Sequence, residues 1–235
     1  MIKRIAFGAA VLIVFIAAAG GSLKGRLLPF ITVPLRQVSV TEDLHNKGVG
    51  NIVFDIQYPE VLGFDNQAFE DGLNNKIIVQ VNNAIIDAFD QAKGNEDWVF
   101  VLRVSDEVKN NRGVLSLRVT DDLDNGGTGF PHTVYYNTDI QKSCFLILDD
   151  LFVSNEYRTE VDRLIRKIVR NDAHYFSDAF TGVSENTAFF LSDGQLHIAF
   201  AKYEIASGLT GEPDFAIPTP LIRRWLRPEY APLFW

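Results

Sequence analysis

The sequence has little cysteine: Cys144 is the only one among 235 residues. A single cysteine excludes an intramolecular disulfide and any metal site that needs several thiolates. Cys144 lies in the apolar, strand-like run 144–148, where a buried and unreactive thiol is the expected state. We therefore predict neither a disulfide framework nor a cysteine nucleophile.

Motifs that mark common catalytic and metal sites are also missing. The chain contains no H-E-x-x-H, no G-x-S-x-G and no EF-hand spacing, which are the patterns of zinc proteases, serine hydrolases and calcium loops. The glycine-rich run 125–129 precedes a predicted strand, whereas phosphate-binding loops precede a helix. We assign no catalytic residue and no metal ligand, and we expect no cofactor.

Positive charge is scarce outside the N-terminus. The chain has 22 Lys and Arg against 30 Asp and Glu. Four of the basic residues and none of the acidic ones lie within residues 1–26, so residues 27–235 carry 18 basic and 30 acidic side chains, a net charge of −12. This sign excludes a protein that tracks the phosphates of nucleic acid. It would attract a basic protein partner.

The N-terminal residues have the pattern of an export signal. Met1–Arg4 is short and basic, and Ile5–Ala19 contains no charged or polar side chain. Ala17–Ala19 suits cleavage by a signal peptidase, whereas the apolar run, continued through Leu23, approaches the length that crosses a bilayer. We predict that residues 1–26 are a signal peptide or a membrane-anchor helix. Residues 27–235 then form one extracytoplasmic domain, which is secreted, periplasmic or anchored.

The segment 187–218 contains the clearest structural signal. Asp193-Gly194 is typical of a type I′ turn between two strands. Pairing outward from this turn places Leu191 opposite Leu196 and Phe189 opposite Ile198, on one buried face.

The rest of the chain predicts an α+β fold. Apolar residues every four positions predict a helix over 66–92 and another over 155–170. Strands come in pairs, with Pro59 expected to end one of them and the turn formers of 121–131 expected to form a loop. We predict an antiparallel sheet built of hairpins, with the two long amphipathic helices packed on one side.

The predicted loop 121–131 holds the candidate binding residues. Asp121, Asp122 and Asp124 precede Gly126 and Gly127, and His132 follows. Such a group can bind a ligand, hold Ca²⁺ or serve as an acid and base pair, although turn formation alone also explains it. Glycan sites often present exposed aromatic rings, and four aromatic residues are candidates for that role: Trp98, Tyr135, Tyr136 and Tyr203. We select five ligand-binding candidates: Asp124, Gly126, Gly127, His132 and Tyr203.

Three segments resemble an exported domain of unknown function. The first is Tyr58-Pro59 with the run 73–77. The second extends from Gly126-Gly127 through His132 to the run 148–152, and the third is 189–217, with Asp193-Gly194 and Tyr203-Glu204-Ile205. The family resembled is shared by the ectodomains of lysozyme-sensing anti-sigma-V factors and the N-terminal regions of some peptidoglycan deacetylases.

The resemblance implies a role in the cell envelope. An anti-sigma factor needs a cytoplasmic segment, and here only Met1–Arg4 precede the apolar run, so we do not expect that transducer role. No deacetylase domain follows in this sequence, and His132 lies further from the glycines than the family's histidine does. We predict a noncatalytic exported domain that binds a basic lysozyme-like wall hydrolase or peptidoglycan. The alternatives are a hydrolase or deacetylase-type enzyme acting on wall glycan, and a structural or assembly protein.

Overall fold

The structure is a computed structural model that describes residues 36–127 and 129–235, with the side chains of residues 43–47 left out. The described residues, from Arg36 to Trp235, form one compact unit. The predicted export or anchor helix over residues 1–26 lies outside them. Within the described ranges, no helix is both long enough and apolar enough to span a membrane.

The elements follow one another as a mixture of long strands, two long helices and short helical turns. The strands are β1 (Ser39–Val49), β2 (Ile52–Leu62), β3 (Phe100–Arg112), β4 (Val114–Asp124), β5 (His132–Asp139), β6 (Cys144–Phe145), β7 (Phe189–Ser192), β8 (Gln195–Ala199) and β9 (Asp214–Ile217). The helices are α1 (Gln67–Ala92), α2 (Tyr157–Asn171) and α3 (Thr219–Ile222), with 3-10 turns at Leu148–Leu151, Arg223–Trp225 and Ala231–Leu233.

Strands β1 to β6 form one sheet in sequence order. Four of its five strand pairs are antiparallel, but β2 and β3 are parallel. The prediction of a purely antiparallel sheet was therefore wrong at this pair. The reason is the connection: α1 carries the chain back along the sheet, and parallel neighbours require a crossover of this kind. Pro59 does not end β2, because the strand continues to Leu62 opposite β1.

Helix α1 confirms the helix predicted over 66–92. Asn66 caps it by accepting a hydrogen bond from the Phe69 amide, 3.2 Å away. Its inner face contributes Leu73, Ile77 and Val81 to the core and then continues through alanines toward Ala92. The small alanines let the last turns approach the sheet closely. Helix α1 packs most extensively on β2, β3 and β4 and touches β5 and β6 through side chains at its edge.

Strands β7, β8 and β9 form a second, smaller antiparallel sheet. The register predicted from Asp193-Gly194 is confirmed, with Leu191 opposite Leu196 and Phe189 opposite Ile198. Asp193 and Gly194 have φ values of 50° and 72°, the left-handed region that a type I′ turn requires.

The predicted arrangement of the two long helices is confirmed only for α1. Helix α2 makes its most extensive helix contacts with α3 rather than sharing a layer with α1. The described part is thus an α+β fold with two sheets, where one sheet had been predicted.

Candidate functional site

The predicted loop 121–131 begins later than expected, because β4 continues through Asp124. Residues 121–124 pair with residues 101–104 of β3, so the three aspartates are strand residues. Side chains of a strand alternate between its two faces. Asp121 therefore lies on the α1 side of the sheet, whereas Asp122 and Asp124 lie on the opposite side. The expected cluster of three carboxylates near His132 is reduced to one.

Asp121 and His132 form a hydrogen-bonded pair across β4 and β5. The His132 Nδ1 atom lies 3.0 Å from Asp121 Oδ2. The Asp121 side chain is largely buried, while 65% of the His132 side chain is exposed. The Asp121 carboxylate is thus held within the protein, and the His132 imidazole faces solvent.

Gln80 of α1 connects this pair to the core. It is 7% exposed; its amide nitrogen donates to Asp121 Oδ2 at 2.8 Å, and its amide oxygen accepts from the Tyr136 hydroxyl at 2.9 Å. Burial, together with the nearby charge of Asp121, raises the pKa of Tyr136 to about 12, so the phenol remains a proton donor at neutral pH. The chain from Tyr136 through Gln80 to Asp121 fixes the position of His132.

These residues line a groove of about 770 Å³ between α1 and β5. The groove lies beside β5 because α1 packs mainly on β2, β3 and β4 and reaches β5 only at its edge, through side chains such as Gln80. We call it the α1 groove. Its lining residues come from α1, β4 and β5: Asn75, Lys76, Val79, Gln80, Asn83, Ala84, Asp87, Asp121, His132, Val134 and Tyr136.

Asp124, Gly126 and Gly127 form a capped turn at the end of β4. Asp124 accepts hydrogen bonds from the Gly126 amide at 2.8 Å and from Arg103 at 3.2 Å, and these two donors lower the pKa of its carboxyl group. Gly126 has a φ of 86°, which glycine adopts without strain. The Gly127 amide donates to the Asn125 side chain. The polar groups of this turn are thus largely used by the turn itself.

Tyr203 comes together with Phe130, a residue that the sequence analysis did not select. Their ring centroids are 5.3 Å apart, and the Lys202 ammonium donates to the Gly129 carbonyl at 3.0 Å. Phe130 is 72% exposed. Tyr203 has a φ of 68°, and its ring lies so close to Gly208 that a β-carbon there would overlap it. We call Phe130 and Tyr203 the aromatic tip.

The remaining aromatic candidates have different surroundings. Trp98 is exposed, Tyr136 is buried in the α1 groove network, and Tyr135 is half-buried and stacked on Phe190 with centroids 5.0 Å apart. Only Trp98 and Tyr203 present much ring surface to solvent. Among the described residues, no group of three or more His, Cys, Asp or Glu side chains is arranged to hold a metal ion.

Of the five selected residues, the structure places four near one end of the β4–β5 hairpin but divides them between two faces and a turn. His132 borders the α1 groove, Asp124 and the two glycines form the turn, and Tyr203 reaches the hairpin through Phe130. Sequence reasoning missed Gln80 and Phe130. A glutamine beside the apolar stripe of α1 is a detectable signal, since a polar side chain at the border of a buried face needs a partner.

Comparison with known proteins finds a family match in the C-terminal half of the chain. Residues 149–219 match the family described as "Protein of unknown function (DUF3298)". This segment runs from the 3-10 turn before α2 to the start of α3 and includes Tyr203, while the other four selected residues precede it. The resemblance inferred from the sequence is thereby confirmed.

Individual relatives extend the similarity over most of the chain. Over 213 residues the chain is 22% identical to the anti-sigma-V factor RsiV of Bacillus subtilis (strain 168), covering 85% of this chain and 73% of that protein. Two crystal structures of DUF3298 family proteins share the fold. One from Bacteroides fragilis has a TM-score of 0.62 at 14% identity, covering 84% of this chain and 96% of its own. One from Pseudomonas aeruginosa PAO1 has a TM-score of 0.53 at 17% identity, covering 86% and 97%.

Proposed function

We propose that this chain is a noncatalytic, extracytoplasmic domain of the cell envelope that binds a basic wall hydrolase of the lysozyme type. The observation that carries this proposal is the aromatic tip, an exposed Phe130 ring supported by Tyr203 beside an acidic strand end. Aromatic anchors dominate the binding energy of protein interfaces. The similarity to an anti-sigma-V factor supports a binding role.

The charge of the domain supports a basic partner. Residues 27–235 carry a net charge of −12, and complementary charge accelerates association between proteins. The extracytoplasmic location rests on the export-like pattern of residues 1–26.

The arrangement of the aspartates favours binding over hydrolysis. Glycosidases place two carboxyl groups on either side of one bond, whereas strand alternation directs Asp121 and Asp122 to opposite faces of the sheet. Asp124 already accepts hydrogen bonds from Gly126 and Arg103. Asp124 thus stabilises the turn of the hairpin, and Asp121 holds His132.

A second candidate ligand is peptidoglycan. The exposed face of Phe130 offers an apolar platform on which a sugar ring can pack. This ligand would use the same tip but would not depend on the negative charge of the domain.

Calorimetric titration of the full chain with a basic lysozyme, at low and at physiological salt, tests the proposal. We expect saturable binding at both salt concentrations, and a roughly tenfold or greater loss of affinity for Phe130→Ala. Phe176→Ala is the matched control, since Phe176 is also an exposed phenylalanine and lies outside the tip.

Two results would contradict the proposal. Binding that disappears at physiological salt would indicate nonspecific charge attraction, and equal affinities for the two variants would exclude the tip. Soluble peptidoglycan fragments are titrated in parallel, and saturable binding of these alone that is weakened by Phe130→Ala would establish the second candidate instead.

A further inference from the structure

The α1 groove has polar side chains at regular intervals along its helical wall. Asn75, Val79, Asn83 and Asp87 follow one another every four residues, so they share one side of α1 at intervals of about 6 Å. In the described part of the chain, no hydrogen bond or ion pair occupies the side chains of Asn75, Asn83 and Asp87. Their donors and acceptors are free to bind a ligand.

The opposite wall of the groove is a strand with its own spacing. His132, Val134 and Tyr136 alternate along β5 and face α1, so successive side chains lie about 6.8 Å apart. Between the two walls lies Gln80, whose amide is fixed by Asp121 and Tyr136. The hydrogen bonds of Gln80 therefore fix the centre of the groove. The side chains that line its two walls follow one another at similar intervals.

One end of the groove is bordered by aromatic residues. Phe69 of α1 packs against Phe145 of β6 with centroids 5.1 Å apart, and the Lys76 ammonium lies 5.4 Å from the centre of the Phe145 ring. His132 borders the other end and is largely exposed. A ligand that lies along α1 would thus extend from Lys76 toward His132.

The side chains that line the groove are chemically complementary to a neutral, hydroxyl-rich ligand. Amide side chains both donate and accept hydrogen bonds, as hydroxyl and acetamido groups do. The lining carries two negative charges, Asp87 and Asp121, and one positive charge, Lys76, so its small net charge favours neither a strong anion nor a highly charged cation. Val79, Ala84 and Val134 add apolar surface for ring carbons. The volume of about 770 Å³ lies in the range of ligand pockets, about 300–1,000 Å³.

We propose that the α1 groove binds a short, neutral, linear oligosaccharide. Successive sugar units lie along α1, with Asn75, Asn83 and Asp87 bonding to their polar groups and Asp121 and His132 bonding from the opposite wall. The inference rests on the groove alone and does not depend on a lysozyme-like partner. It assigns a second site, separate from the aromatic tip.

Titration of the full chain with tri-N-acetylchitotriose, followed by calorimetry and by NMR of the side-chain amides, tests this site. We expect saturable binding with shifts of the Asn75 and Asn83 amide signals. Asn83→Ala should weaken binding by roughly three- to tenfold, the effect of losing one hydrogen bond. Asn82→Ala is the matched control, because Asn82 neighbours Asn83 on α1 but does not line the groove.

The aromatic tip and the α1 groove make distinguishable predictions. Phe130→Ala should leave oligosaccharide binding unchanged, and Asn83→Ala should leave lysozyme binding unchanged. No saturable binding, equal affinities of the Asn82 and Asn83 variants, or loss of binding on Phe130→Ala would overturn the groove assignment. Tighter binding of an extended neutral peptide than of the trisaccharide would overturn it as well. Circular dichroism of each variant checks that the fold is intact.

Discussion

The two faces of the six-stranded sheet are covered in different ways. On one face, α1 lies on an apolar core to which Leu73, Ile77 and Leu117 belong. On the other face, the second sheet is joined through buried polar side chains. Asn137 donates to the Phe189 carbonyl at 2.7 Å and Ser116 accepts from the Leu191 amide at 3.0 Å. The contact with α1 is apolar and does not depend on the direction of individual bonds. The contact with the second sheet consists of hydrogen bonds, which are directional.

The polar contact provides hydrogen-bond partners for the edge strand β7. Strand β7 is an edge of its sheet, so half of its backbone groups lack strand partners, and burying them unpaired would be costly. Ser116 and Asn137 supply the missing partners from β4 and β5, and the Ser116 hydroxyl donates to Asn137 Oδ1 at 2.6 Å. The polar residues on this face therefore fix where the second sheet docks.

The largest expected effect concerns the apolar face. Ile77→Ala removes a fully buried side chain between α1 and the sheet, and truncation of a buried isoleucine costs about 2–5 kcal/mol of unfolding free energy. Urea denaturation measures this loss. Ile78→Ala is the control, because Ile78 is the next residue and is 43% exposed; it should change the free energy of unfolding by less than about 1 kcal/mol. Equal losses would contradict the packing of α1 described above.

A smaller loss is expected on the polar face. Asn137 is 4% exposed. Asn137→Ala removes the side-chain donor to the Phe189 carbonyl and the acceptor for the Ser116 hydroxyl proton, at a cost of about 1–3 kcal/mol. A double-mutant cycle with Ser116→Ala isolates the interaction free energy between Ser116 and Asn137 from their contacts with other residues. We expect coupling of about 0.5 kcal/mol or more between the two sites. Independent effects would show that the two side chains do not act as one connection.

The second sheet was more predictable from the sequence than the first. The turn at Asp193-Gly194 fixes the register of β7 and β8 locally, so two residues predicted every pair of the hairpin. The order of the first sheet depends on where α1 returns the chain, and residue spacing alone does not show this. The parallel pairing of β2 with β3 was missed for this reason.

The candidate site was predictable in composition but not in arrangement. The aspartates, His132 and Tyr203 were selected by residue type, yet the extension of β4 to Asp124 separates Asp121 from Asp122 and Asp124. The α1 groove depends on how far the helix extends across the sheet. That is a tertiary property, and the sequence signalled it only through Gln80.

The smallest expected effect lies at the margin of the apolar face, where Asp106 of β3 pairs with Val119 of β4. Asp106 borders a small cavity with Arg118 and Thr120, and one of its carboxylate oxygens is buried without a hydrogen-bond partner. Burial, with a further contribution from Glu42, raises the pKa of Asp106 from 3.8 to about 6. The fold therefore favours the protonated form of this carboxyl group.

The pH dependence follows from this direction. The pKa of Asp106 is higher in the folded than in the unfolded chain. The protonated carboxyl group therefore contributes to the stability of the fold fully below about pH 3.8, and this contribution is lost as the pH rises through about 6. Asp106→Asn removes the titration, so it should raise the melting temperature at pH 7.5 relative to the wild type and have a smaller effect at pH 4. Asp106 is only half-buried, so the gain should stay below about 1 kcal/mol. Asp90→Asn, which removes an exposed carboxylate of α1, is the control for the loss of one negative charge. A gain for Asp106→Asn that is equal at pH 4 and at pH 7.5 would mean that the substitution acts through packing, and that the Asp106 carboxylate places no unfavourable charge at this margin of the apolar face.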